Sequence, residues 1–303
     1  MRVRIQHELH YVYSREVFCE PVMIRLRPRE DAAQRIRSWK CSIAPEPEGI
    51  SEFRDLDGNI VLKAWFEGLT SSLRIMTDAE VETLQSDPYR FLLNPEAAVL
   101  PARLDPIDQS LAAHYAKPGT LSPRMVAMAE ELERQAGRQT IRFLMALTSH
   151  LNESCQVIIR PTGEAWPAEK TLSERAGSCR DLAVLFCEVC RSAGLPARFV
   201  SGYSVDPDLD GLHHLHAWGE VYLAGAGWRG FDPTAGLAVG DRHIAVAAAR
   251  LPPSASPTSG AFRGTGVSSQ LEANVRVVPL EADAPRNGAA QPSQPAVLPR
   301  SPG

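Results

Sequence analysis

A cysteine, a histidine and an aspartate stand in three short motifs, Gly177-Ser178-Cys179-Arg180-Asp181, His216-Ala217-Trp218 and Phe231-Asp232-Pro233-Thr234. Near neutral pH an ordinary thiol is only about a few per cent thiolate, so thiol chemistry needs an imidazole to take the proton and a carboxylate to hold that imidazole. The three motifs supply these types in the order nucleophile, base, orienter. The chemistry they would carry is attack on a carbonyl carbon to form a thioester.

Each of the three must be positioned by an element. A helix is expected from 178 or 179 to 192, with Leu182, Leu185, Phe186 and Val189 as its apolar face and Ala193-Gly194-Leu195-Pro196 ending it. Cys179 then sits in the first turn, where unpaired N–H groups and the positive end of the helix dipole favour a thiolate and receive an oxyanion. Gly177 is read as letting the chain approach a substrate carbonyl, and Arg180 as the partner of a structural carboxylate such as Asp181 or Glu174. Strands are expected over 197–205, 215–223 and 228–232, the last two joined by the turn 224–227.

A plain four-residue turn pairs Leu223 with Trp228 and puts His216 and Asp232 on opposite faces, because side chains alternate along a strand. A bulge or irregularity near Gly219 or Gly230 is therefore predicted. Backbone N–H of Cys179 is the first oxyanion donor, and Trp166 through its indole N–H or Gln156 through its amide could supply a second. Trp166 reads equally as a packing residue, and Trp218 is a further candidate for contact with substrate.

The remaining chain organises around this site. Residues 1–82 show period-two patterning, with Val3, Ile5, Leu9, Tyr11 and Tyr13 on one face. Further strand-like runs lie at 22–26, 37–43, 60–66 and 73–77, and Asp57-Gly58-Asn59 is a hairpin signal, which together suggest an antiparallel β-sandwich. Prolines recur through 83–122, a connecting region. The unit over 123–250 opens on Ser122-Pro123, an N-cap followed by a helix to about 136, and a second helix runs to about Ser154. Residues 251–280 hold a loop and one more strand, and 281–303 have the composition of a disordered tail. The fold class is α+β, a β-sandwich followed by helices packed on an antiparallel sheet.

Bulk properties narrow the partners. With 32 Lys+Arg against 36 Asp+Glu, the net charge of −4 attracts neither nucleic acid nor an anionic membrane. The first residues alternate charge and apolarity, with no continuous apolar run of signal or membrane-spanning type, so a cytoplasmic protein is expected. Six irregularly spaced cysteines do not make a disulfide framework. Cys187 and Cys190 lie mid-helix with no second cysteine pair and are read as packing residues, so no metal and no cofactor is expected. Glu220 reads as a solvated or ion-paired strand residue. His213 and His214, with Asp206, Asp208 and Asp210, read as a loop by the cleft.

The wider motifs carry a resemblance. Thr171-Leu172, Arg175-Ala176-Gly177-Ser178-Cys179-Arg180-Asp181-Leu182-Ala183, Gly194-Leu195-Pro196-Ala197-Arg198, His216-Ala217-Trp218-Gly219-Glu220-Val221-Tyr222, Gly227-Trp228 and Phe231-Asp232-Pro233-Thr234 occur in the order found in the bacterial transglutaminase-like family, which this chain resembles. Tyr11, Tyr13, the run 25–29, Trp39 and the stretch 55–59 are similar to the β-rich domain that precedes the catalytic domain in that family. The resemblance covers roughly residues 1–280 and implies a papain-like or transglutaminase-like core. It further implies Cys179 as nucleophile, His216 as base and acid, Asp232 as orienter, and a peptide or protein amide as substrate. Hydrolysis is the expected outcome, with transfer to an amine and a non-catalytic protein-binding scaffold as the alternatives.

Overall fold

Strict alternation in the first strand organises the N-terminal region of the computed structural model, which describes residues 1–160, 162–205 and 215–280. β1 (Arg2–Cys19) buries Val3, Ile5, His7, Leu9 and Tyr13, keeps Tyr11 half-buried on the same face, and turns Arg4, Gln6, Glu8, His10 and Val12 the other way. It pairs antiparallel with β6 (Thr70–Thr83), which pairs in turn with β3 (Gln34–Ala44). A smaller antiparallel sheet contains β2 (Val22–Ile24), β4 (Gly49–Arg54) and β5 (Ile60–Trp65). The Asp57-Gly58-Asn59 turn forms as expected, closed by Asp55 N–H on the Asn59 carbonyl at 3.0 Å. The strand β4 has no counterpart in the sequence reading, because its side chains are almost all exposed and show no two-residue alternation.

Helices follow: α1 (Pro106–Ala116), α2 (Pro123–Gln135), α3 (Thr140–Ser154), α4 (Ala168–Glu174) and α5 (Cys179–Ser192). Ser122 caps α2 by accepting from Met125 N–H at 3.2 Å. A short parallel pair, β7 (Gln156–Val157) with β8 (Ala176–Gly177), ties the chain after α3 to the approach of α5. The second large sheet is antiparallel in the order β12, β11, β10, β9, β13, built from β9 (Ala197–Ser204), β10 (His216–Leu223), β11 (Gly227–Asp232), β12 (Leu237–Ala238) and β13 (His243–Ala249). The expected strands at 197–205, 215–223 and 228–232 are present within a residue of those limits. β13 is new, because all seven of its residues are buried and a uniformly buried strand has no alternation to read.

The chain then returns to the N-terminal region. β14 (Thr258–Ser259) joins β2, β15 (Phe262–Arg263) joins the end of β1, and the twelve-residue β16 (Ser269–Leu280) runs antiparallel along β1 from Tyr13 to Arg2. The molecule is α+β, as the sequence predicts. Among the described residues, three packing zones are the largest. Leu9, Tyr13, Ile24, Ala64, Leu73 and Ile75 pack between the two N-terminal sheets. Val3, Ile5, Ala79, Val81, Val275 and Val277 pack against Tyr203, Val205, Ile244 and Val246 of the second large sheet. α2, α3 and α5 pack with Val221, Leu223 and Phe231. Among the described residues no helix is long and apolar enough to cross a membrane.

Candidate active site

Cys179 opens α5 because Ser178 and Asp181 close the helix start upon each other. Asp181 Oδ2 accepts the Ser178 N–H at 2.8 Å and the Ser178 hydroxyl at 2.7 Å, a reciprocal cap of the helix N-terminus. The same carboxylate, fully buried, takes Arg160 Nη1 at 2.7 and 2.6 Å on its two oxygens and the Trp166 backbone N–H at 2.7 Å. Burial would raise the Asp181 carboxyl, and these donors reverse that and hold it below its usual value. Arg160 was not singled out by the sequence, and it takes the place expected of Arg180. Arg180 instead donates to the carbonyls of Arg160 and Thr162 at 3.0 and 2.8 Å. Gly177 also changes meaning. A Cβ there would lie 2.9 Å from Asp181 Cβ and 3.1 Å from Thr171 Cγ2, so the glycine makes room for the capping carboxylate rather than for substrate.

His216 and Asp232 are brought together by the β10–β11 hairpin, and no bulge is involved. Leu223 pairs with Gly227 rather than with Trp228, through a three-residue loop in which Gly225 and the closing Gly227 take φ of 87° and 75°. This moves the register by one residue. The ladder Leu223↔Gly227 to Gly219↔Phe231 is unbroken, and its continuation sets Asp232 opposite Trp218, on the same side of the sheet as His216. The predicted irregularity at Gly219 or Gly230 is thus replaced by a shorter turn. Gly219 has another role: a Cβ there would come 2.3 Å from Phe186 Cδ1, so the glycine lets α5 lie close on β10.

The electrostatics of the group are tightly coupled. His216 Nε2 is 2.7 Å from Asp232 Oδ2, and the Cys179 side chain is near enough to act on the same imidazole. Burial works against a charged imidazole at His216, but Asp232 and then Cys179 outweigh it and raise the histidine to about 10. Asp232 is fully buried, which alone would raise it. Donation from His216 and His243 holds it well below the usual carboxylate range. Its other oxygen, Oδ1, accepts the N–H groups of Thr234 at 2.9 Å and Ala235 at 3.2 Å.

His243 is the second residue that sequence reading missed. It lies on β13, 7 % exposed, with Nε2 3.0 Å from the same Asp232 Oδ2. The only available signal was a histidine heading the small, apolar run 243–249, and alanines carry no period. His216, Asp232 and His243 each offer one ligand atom within 4.8 Å of the others. Both nitrogens address a single oxygen at hydrogen-bonding distance. A zinc-type ion needs its donors about 2.0–2.2 Å from a common centre and would take that oxygen from both rings. The arrangement fits a hydrogen-bonded group.

The remaining candidates are dispersed. Trp218 is 1 % exposed, its ring tilted against His216 and edge-on to His243, so it supports the histidines from within instead of lining a substrate surface. The Arg160 guanidinium and the Lys170 ammonium both lie over the Trp166 ring, 4.4 and 4.1 Å from its centre, which favours its packing reading. Gln156 is exposed on β7, its backbone N–H bound to the Arg175 carbonyl. Glu220 pairs with Arg198 at 2.6 Å. Cys187 and Cys190 are buried, and burial pushes Cys187 up to about 12, as packing thiols require. The loop reading of His213 and His214 with Asp206, Asp208 and Asp210 falls outside the described residues.

Comparison with known proteins bears on the fold and the family of its two regions. Residues 3–82 match the model of the bacterial transglutaminase-like N-terminal region, and residues 126–233 match that of the transglutaminase-like superfamily. A crystal structure of a "putative cysteine protease" from Cytophaga hutchinsonii superposes with a TM-score of 0.68 at 22% identity, covering 94% of this chain and 92% of that one. Uncharacterised proteins of Mycobacterium bovis and Mycobacterium tuberculosis are each 28% identical over 93% of this chain and 94% of their own length. A protein-glutamine gamma-glutamyltransferase of Pseudomonas aeruginosa is 35% identical over 123 residues, 37% of this chain and 18% of that protein. The fold and the helix-start cysteine with its hairpin histidine and aspartate define a transglutaminase-like core behind a β-rich region. Two separate stretches of the chain are thus transglutaminase-like, residues 3–82 by the N-terminal region and residues 126–233 by the core.

Proposed function

We propose that the protein is a cysteine-nucleophile acyl-transfer enzyme acting on peptide or side-chain amides, with water as the usual acceptor. The observation that carries this reading is the line from Cys179 through His216 to the buried, doubly anchored Asp232. His216 Nδ1 takes the thiol proton while Nε2–H stays on Asp232, and Sγ attacks the amide carbonyl. The oxyanion meets the first-turn N–H groups of α5, Cys179 N–H among them. Collapse breaks the C–N bond as His216 returns the proton to the leaving amine, and the thioester is then released by water activated at the same imidazole.

Cys179→Ala should abolish amide turnover while leaving the thermal transition in place. Retained turnover in that variant would remove Cys179 from the nucleophile role. Rapid labelling of Cys179 by iodoacetamide at pH 6, where ordinary thiols are nearly all protonated, separates this reading from a non-catalytic scaffold. Equal, slow labelling would favour the scaffold.

The Pseudomonas aeruginosa relative named as a glutamyltransferase supports a second outcome, transfer of the acyl group to an amine. Trapping the thioester and raising the amine concentration decides between them, since a hydrolase partitions to water regardless. A cytoplasmic location goes with the reading and is supported by six unpaired cysteines.

A further inference from the structure

Asp232 is shared. One carboxylate oxygen, Oδ2, faces two imidazoles, His216 Nε2 at 2.7 Å and His243 Nε2 at 3.0 Å, and the carboxylate is wholly buried. An ionised carboxylate only accepts, so both nitrogens present N–H to it. His243 makes no other side-chain hydrogen bond among the described residues, and its Nδ1 is buried without a partner. A histidine is an uneconomical core residue when a single bond uses it, unless that bond matters for what it holds.

The surroundings fix His243 in turn. Its ring stands edge-on to Trp218 at 5.2 Å between centres. Its strand, β13, is an edge of the second large sheet, and the backbone of that edge is met by two side-chain amides from the N-terminal region and by Arg29 N–H on the Ala245 carbonyl at 3.0 Å. Gln34 accepts from Ala245 N–H and donates to its carbonyl, both at 2.8 Å, and Asn59 does the same for Ala248 at 2.8 Å. Gln34 and Asn59 are 3 % and 0 % exposed. β13 therefore cannot drift along β9 without orphaning four buried polar groups.

We propose that His243 is a positioning residue that fixes the Asp232 carboxylate, so that Oδ2 stays aligned with His216. This rests on the function proposed above. Without the His243 donor, the Thr234 and Ala235 N–H groups still hold Oδ1, but Oδ2 keeps no partner besides the His216 ring it must orient, and the carboxylate gains freedom to turn.

The test uses the full chain and three forms, wild type, His243→Leu and His243→Gln, with thermal transitions recorded for each. Gln restores an N–H donor and Leu does not. The first readout is iodoacetamide labelling of Cys179 at pH 6, located by mass spectrometry. Leu should slow it about tenfold, the lower end of the loss usual when an outer partner of a functional group is removed, and Gln should recover most of that loss. The second readout is the downfield proton spectrum, where the His216 N–H on Asp232 should shift in the Leu variant and return in Gln. Labelling in His243→Leu at the wild-type rate or faster, or an unmoved His216 resonance, overturns the proposal. Slow labelling of the wild type counts against the nucleophile reading alone, and the resonance still decides the role of His243.

Discussion

At the scale of single residues, the coupling of Cys179, His216 and Asp232 makes stability depend on pH with a defined sign. His216 is raised from its ordinary 6.5 to about 10, so the fold prefers the imidazolium. That contribution is fully present below pH 6.5 and is lost as pH rises towards 10. The urea midpoint of the wild type should therefore fall across this window, and His216→Gln should flatten the fall. An equal slope in both would remove His216 as its source. Because Cys179 supplies part of the upward push, an NMR titration of His216 in Cys179→Ala should show a midpoint below that of the wild type. The three residues were legible in the sequence, since their motifs carry the types thiol chemistry requires. Their supports, Arg160 and His243, were not. Arginine and histidine are unremarkable in a sequence until the fold shows which carboxylate each one faces.

At the scale of elements, the start of α5 depends on Asp181 more than on any glycine. Asp181→Ala removes the cap, strands Arg160 beside an apolar methyl and frees the Trp166 backbone. Loss of one partner from a buried ion pair costs about 3–5 kcal/mol, and urea denaturation should find a loss of that size. A change below about 1 kcal/mol would mean that the helix start is held by other contacts. Gly219→Ala should cost about 1–3 kcal/mol through overpacking against Phe186, read the same way. Helix α5 could be read from its cap and its Gly-Leu-Pro stop because those signals are local. The β10–β11 register could not, since it turns on whether Gly227 closes the ladder or lies within the loop, and the residue types allow both. β13 escaped for the opposite reason: burial on every side erases the alternation that marks a strand.

At the scale of the whole molecule, a single face of the first large sheet covers both the small sheet and the second large sheet. The residues Leu9 and Tyr13 of β1 serve the former, and Val3 and Ile5 serve the latter. A core shared in this way predicts one cooperative unfolding transition. Tryptophan fluorescence and far-ultraviolet circular dichroism should report the same midpoint, and two separated midpoints would contradict it. Asn59→Leu leaves both backbone groups of Ala248 buried without partners, at about 1–3 kcal/mol each, and should lower that common midpoint rather than split it.

The amides of Gln34 and Asn59 also bear on how such a chain can be inherited. Both lie in the matched N-terminal region, while the strand they hold, 243–249, lies beyond either matched segment. A recombination event that exchanged residues 1–82 for a distant counterpart would keep this stability where the newcomer placed carboxamides opposite Ala245 and Ala248. The two regions are matched separately, but a chimera of undiminished stability has to preserve this lock and its key as a pair.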